Sequence, residues 1–260
     1  TAWTAAHPEL VAAVVGAGKP VFCEKPLAVD LAAARALVDT VDDAGVINQV
    51  GLVLRASPAF RWLKEQVAAP GAGDPMTMVF RDDQYLPTRG MYDSTWRGDP
   101  VLAGSGTLLE HSIHDLDLIE WIMGRVTAVT ALTAHHHGID GIEDQASVLL
   151  RTADDAHVLL SSTWHDITSR PSQRHVEVFC TDVALRVEGD WLGPVRRQHA
   201  DGGDETGEPD APAGNPDADF IAAVRESRPA QPDFRTALRA HELADAVYRS
   251  AAAGGTPVDV

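Results

Sequence analysis

The sequence predicts an α/β protein in which a short parallel-sheet unit is followed by an antiparallel sheet with one face covered, and three observations carry that expectation. Residues 7–54 run helix, strand, helix, strand with tight connections, the rhythm of a βαβ crossover. Residues 126–189 hold successive alternating apolar segments joined by turns, the pattern of antiparallel strands. At 260 residues the chain is long enough to bury a large core as one large domain or two small ones.

Each element has a local reason. HPELVAAVVGAG (7–18) is an apolar helix that stops at glycine. KPVFCE gives a short strand, PLAVDLAAARALVDTVDDAG an Asp-capped helix rich in alanine, and VINQVGLVL a second strand. Pro58 opens a helix through about Val67, and MTMVFRDD is a strand. Residues 84–103 carry scattered aromatics with Pro87, Gly90 and Pro100, and read as a long loop of the kind that carries function. A helix over 107–123 precedes the strands VTAVTALTAHHH, EDQASVLLRT, HVLLSSTWHD, RHVEVFCTD and VALRVEG. Residues 198–214, rich in Gly, Pro and acid, read as a mobile surface loop. Asn215 and Pro216 then cap a helix, and a last helix begins at Phe234.

Composition excludes several function classes. With 21 basic against 38 acidic residues the formal charge is −17, which repels nucleic acid and anionic membranes. No apolar run approaches the ~18–20 residues of a membrane span. The two cysteines do not form a disulfide framework, so the reading is cytoplasmic. Lysine is scarce, with Lys19, Lys25 and Lys64 only, so a lysine inside a motif is not surface filler.

The segment GSGTLLEHSIHDLDLIEWIMG (104–124) concentrates titratable groups among apolar ones. At ~100° per residue, a continuous helix places Glu110, His114 and Asp117 on one stripe and Leu108, Leu109, Leu116, Ile119 and Met123 opposite. Gly104 and Gly106 at its entrance allow close backbone approach to a ligand, and the helix amides there favour an anion. His111 and Asp115 make a second i,i+4 pair, expected to be an exposed ion pair.

Glu24-Lys25-Pro26 at the end of a parallel strand, together with GSGTLLEHSIHD, SPAFRWLKEQV and AVYRSAAAGG, resembles the glucose-fructose oxidoreductase and inositol dehydrogenase family (Gfo/Idh/MocA) across nearly the whole chain. The resemblance implies the C-terminal part of a Rossmann domain that binds NAD or NADP, over residues 1–54, and a substrate-binding and oligomerisation domain with a large, open, mostly antiparallel sheet over 55–260. It implies hydride transfer between nicotinamide and a hydroxyl-bearing carbon of a sugar, inositol or related polyol. Lys25 would touch substrate and nicotinamide, Pro26 would follow a cis peptide, and 110 and 114 would supply an acid and a histidine. His7, Glu24, Trp96 and Arg97 would lie near the cofactor. His114 is the candidate base, Lys25 the donor that polarises the reacting oxygen, and Glu110 the group that orients the ring or binds a neighbouring hydroxyl. The commonest family residue at 110 is Asp, and the extra methylene moves the carboxylate by about 1.5 Å.

No G-x-G-x-x-G occurs in the sequence, and GAGK (16–19) follows a helix rather than a strand. Matched to the family, Thr1 falls late in the Rossmann domain, so the expectation is a fragment lacking about 70 residues of two βαβ repeats, inactive alone. The competing reading is a non-catalytic binding or oligomerisation module that cannot hold NAD(P), and a nicotinamide-assisted hydrolase is a second enzyme alternative. A homo-oligomer, dimer or tetramer, is expected through the antiparallel sheet. Trp164 and His165 at a strand end are candidates to line the cleft, while Cys23 reads as a small buried residue. His135-His136-His137 on a strand would alternate faces, so no metal site is expected.

Overall fold

The computed structural model describes residues 2–90, 92–189 and 191–260; Thr1, the matched starting point, lies outside them. Helix α1 (His7–Gly16) leads into β1 (Val21–Cys23), α2 (Leu31–Ala44) and β2 (Asn48–Val50). The strands pair in parallel, with Phe22 opposite Gln49. Asp30 caps α2 by accepting from the Ala33 amide at 2.8 Å, and Gly45 ends it at φ 62°, where a side chain would be strained. The buried stripe Leu37, Val38 and Val41 of α2 packs with Val11 and Val15 of α1 in one apolar cluster.

Helix α3 (Pro58–Val67) follows, then β3 (Pro75–Tyr85), α4 (Pro100–Ala103), α5 (Thr107–Glu110) and α6 (Ile113–Met123). Strands β4 (Val126–Ala134), β5 (Gln145–Thr152), β6 (His157–His165), β7 (Gln173–Cys180), β8 (Val183–Val187), β9 (Val195–His199) and β10 (Asp204–Gly207) come next. The chain closes with α7 (Pro216–Glu226), α8 (Phe234–Ala252) and β11 (Val258–Asp259). Among the described residues the large sheet has nine strands in the order β10-β9-β8-β7-β3-β6-β5-β4-β11. Every pairing in it is antiparallel except β3 with β6.

Alternation divides this sheet into two faces. Met78 and Phe80 of β3 point into a core with Leu116 and Ile119 of α6 and Leu243 and Val247 of α8. Burying each such side chain contributes about 1.5–3 kcal/mol. The other face carries Val79, Leu149 and Leu159, 43%, 46% and 49% exposed, and among the described residues no helix covers them. Helix α8 joins the two cores, because Phe234 and Ala237 sit in the α1–α2 cluster while Leu243 and Val247 sit under the sheet.

Four expectations change. The helix expected over 107–123 is broken at His111 and Ser112, where the Ser112 amide bonds to Thr107 O at 2.9 Å, five residues back. That extra residue per turn rotates α6 relative to α5, so the single-stripe geometry fails. Residues 84–103 include a 3₁₀ turn (Thr95–Gly98) and α4, and 198–214 includes part of the β9–β10 hairpin, whose Arg196 and Asp204 pair across the strands at 2.8 Å. The three histidines at 135–137 follow β4 rather than lying on it; His135 Nδ1 bonds to Ile142 O at 2.9 Å and His137 Nδ1 to an Asp144 oxygen at 2.7 Å.

Candidate active site

Lys25 leaves the carboxyl end of β1 across a cis Lys25–Pro26 bond, and two buried imidazoles hold the segment that follows. His7 Nδ1–H donates to Pro26 O at 3.1 Å, with Leu27 O at 3.3 Å, and the Leu27 amide donates to His241 Nε2 at 3.1 Å. Both rings are neutral in these roles. Burial lowers the pKa of His7 and pulls that of His241 down to about 4. His7 therefore positions the Lys25 segment by its own hydrogen bond, a role the sequence did not suggest. Glu24 is exposed beside it, with Gly51 so close that a Cβ there would meet the Glu24 carboxylate at 2.7 Å.

Lys25 donates to the backbone carbonyl of Glu110 and lies 3.7 Å from its carboxylate. Arg97 Nε donates to the same oxygen, Oε1, at 2.7 Å, while its guanidinium stacks 4.4 Å from the centre of the Trp96 ring and donates to Ser94. One buried carboxylate thus stands between two cations. These groups open on a cavity of about 220 Å³ that Gln84 and Tyr85 of β3, Trp164 of β6 and His111 also line. Tyr92, from the long loop, is exposed and lines it as well. Trp164 is 2% exposed, so it supplies a packed wall.

His114 is buried, with Nδ1 unpartnered among the described residues, and it lies outside the lining of this cavity. Burial, then the charges of Lys25 and Arg174, hold its pKa well below the ordinary imidazole value, so the ring is neutral. Asp117 still shares a face of α6 with His114, but the break separates both from Glu110. Its carboxylate is held by Arg55 at 2.8 and 2.6 Å and does not line this cavity.

His111 and Asp115 do not form an exposed pair. Asp115 is fully buried and accepts from Arg174 Nε at 2.9 Å, and Arg174 Nη2 donates to His111 Nε2 at 2.8 Å. Asp82, 1% exposed, completes the cluster 3.6 Å from Arg174 and accepts from Gln84 Nε2 and Ser112 Oγ. Burial and the neighbouring Asp115 raise the Asp82 pKa well above the carboxylate range. Arg174 and Asp82 were not singled out from the sequence, although each sits on the inward phase of its strand, directly opposite the other.

The glycines at the helix entrance serve the protein itself. Gly106 and Leu108 amides donate to the Glu143 carboxylate at 2.8 and 2.9 Å, so the anion at this helix start is an internal side chain. A Cβ at Gly106 would come within 1.8 Å of Glu143 O, and one at Gly104, where φ is 92°, within 2.4 Å of Val29 O. Tyr248 adds a third hydrogen bond to Glu143 at 2.9 Å. Cys23 is buried, which pushes its thiol up to about 12 and leaves it inert.

Two family profiles match the chain. "Oxidoreductase family, NAD-binding Rossmann fold" covers residues 1–52 and "GFO/IDH/MocA C-terminal domain" covers 60–186, together more than half of the sequence. An inositol 2-dehydrogenase of Rhizobium meliloti is 29% identical over 96% of this chain and 76% of its own length. A 1,5-anhydro-D-fructose reductase of Ensifer adhaerens is 32% identical over 53% of this chain and 41% of its own. The chain spans about half the length, or less, of the first curated relatives it matches. A solved levoglucosan dehydrogenase in complex with NADH superposes with a TM-score of 0.88 at 22% identity, over 100% of this chain and 78% of that one, a likeness of fold.

Proposed function

Because the chain belongs to the Gfo/Idh/MocA oxidoreductase family, we propose that it takes part in NAD(P)-dependent hydride transfer at a hydroxyl-bearing carbon of a sugar, inositol or related polyol. The observation that carries this reading is the convergence of Lys25 and Glu110 on one cavity at the carboxyl end of a parallel strand, with a neutral His114 one turn beyond. In open α/β sheets that end of the strands is where ligands bind. The residues present fit the nicotinamide end of a dinucleotide, since His114 Nδ1 is a buried polar atom without a partner among the described residues, next to the part-buried Lys25 ammonium. His7, Glu24, Lys25, Pro26, Trp96 and Arg97 would hold it, and when bound it supplies a two-electron acceptor.

The chain's own residues divide the remaining work. Lys25 is pinned by the Glu110 carbonyl and directs its other protons at a substrate oxygen, where an ammonium stabilises developing negative charge. Neutral His114 lies just outside the cavity lining, and we assign it the hydroxyl proton. Glu110, held by Arg97, accepts from an adjacent hydroxyl and fixes which carbon reacts. A cavity of about 220 Å³ accommodates one cyclitol or sugar ring. Oxidation of C-deuterated myo-inositol and sugars by the full-length native chain should carry the label to nicotinamide; label lost to water would contradict hydride transfer.

A second reading concerns these 260 residues alone. They contain no G-x-G-x-x-G, which favours a polyol-binding or oligomerising module that holds NAD(P) weakly. Calorimetric titration of this stretch with NAD(H) and NADP(H) separates the two, micromolar binding arguing against the module. A homo-oligomer belongs to the proposal: the open sheet face forms an apolar groove of about 470 Å³ along Val79, Leu132, Leu149 and Leu159. So does a cytoplasmic location; among the described residues no helix is long and apolar enough to cross a membrane.

A further inference from the structure

We infer that Arg174 locks His111 as a neutral Nδ1–H tautomer, making it a hydrogen-bond donor that reads an acceptor oxygen of the substrate beside the reacting carbon. The inference rests on the polyol reading of the cavity. A guanidinium can only donate, so the 2.8 Å contact from Arg174 Nη2 requires a lone pair on His111 Nε2. The ring proton then resides on Nδ1. That nitrogen has no partner among the described residues, and the residue lines the cavity together with Glu110 and Tyr85.

The support behind the ring is built rather than incidental. Arg174 is 5% exposed and its Nε is tied to the fully buried Asp115, while Asp82 lies 3.6 Å from Arg174 and its Oδ2 3.7 Å from His111 Nε2, beyond hydrogen-bond reach of the ring. Ser112, next in sequence to His111, bonds to Asp82 at 3.1 Å and to Ser162 at 2.6 Å, which fixes the break in the helix where His111 leaves it. Burial and the positive charges of Arg174 and Lys25 keep the imidazole from taking a second proton. The cavity therefore presents two opposite demands. Glu110 accepts from one substrate hydroxyl, and His111 donates to an oxygen beside it. A polyol with two adjacent oxygens meets both.

The test uses the full-length native chain with ¹⁵N-labelled histidine, and myo-inositol as the probe. Imidazole spectra should show His111, assigned by loss of its signals in His111→Gln, as the neutral Nδ1–H form near pH 7, with Nδ1 shifting as myo-inositol is added. An Nε2–H or cationic ring, or an Nδ1 that does not move at saturating myo-inositol, would overturn the inference. Kinetically, His111→Leu should raise KM for the polyol turned over best by roughly tenfold with kcat within about twofold, and His111→Gln, which keeps an acceptor for Arg174 and a donor for substrate, should restore most of it. An unchanged KM in His111→Leu would also overturn it. Absence of any polyol oxidation by the wild type would sink the dehydrogenase reading instead, because the titration detects the hydrogen bond without chemistry.

Discussion

Replacing His241 by Gln isolates one pH-dependent contribution to stability. His241 Nε2 accepts the Leu27 amide only when that nitrogen is unprotonated, and burial holds the pKa at about 4 against an ordinary 6.5. The unfolded chain therefore takes up the proton first on acidification. Stability from this ring is complete above pH 6.5 and is lost as pH falls through the window toward 4. At ~1.4 kcal/mol per pH unit the window is worth roughly 3 kcal/mol, and about 2 kcal/mol of it is gone by pH 5. Glutamine offers an acceptor but gains no proton. Urea unfolding followed by tryptophan fluorescence at about pH 7.5 and about pH 5 should show the wild type losing ~2 kcal/mol more than His241→Gln. His7, His111 and His114 are also lowered by burial, but they are common to both proteins and cancel in the comparison. Parallel losses, within ~0.5 kcal/mol, would refute the clamp on Leu27 as a neutral-imidazole contact.

Four further outcomes are expected. Glu110→Asp draws the carboxylate back by about 1.5 Å from Arg97 and from substrate, and kcat/KM for polyol oxidation should fall ~10- to 100-fold; an unchanged value would show that the longer side chain is not matched to this site. Gly106→Ala forces a Cβ against the Glu143 carbonyl, so thermal unfolding should report a loss of more than ~3 kcal/mol or no folded protein, and a wild-type Tm would contradict the packing. The acid limb of kcat/KM should lie below pH 6.5, because burial, Lys25 and Arg174 depress His114; a limb at or above that value would remove His114 as the base. Leu159→Arg on the open sheet face should convert an oligomer to monomers in light scattering while leaving the circular dichroism unchanged, and a retained oligomer would place the interface elsewhere.

Most of the fold was legible because its signals are local. Asp30 and Gly45 cap α2 by backbone chemistry that needs no tertiary partner, and period-2 alternation marked the strands from 126 to 187. What failed was the assumption that a helical period continues unbroken. The break at His111 depends on Ser112 finding Asp82 and Ser162, about 30 and 50 residues away, and no local propensity encodes that. Lys25 and Glu110 were found through motif resemblance, and the structure brings them together at 3.7 Å. Arg174 and Asp82 were discoverable in principle: following Met78 and Phe80 inward along β3 puts Asp82 in the interior, and a buried acid demands a cation. The anion at the start of α5 was misread as a ligand, because the sequence does not disclose that Glu143 folds back onto Gly106.

The most direct test of the central claim is turnover by Lys25→Met in the full-length native chain, followed as nicotinamide reduction across a panel of inositols and sugars. The wild type should oxidise at least one of them, and the variant should lose at least ~10³-fold in kcat with its Tm within a few degrees of wild type. A folded Lys25→Met protein that keeps wild-type turnover would contradict the account at its centre.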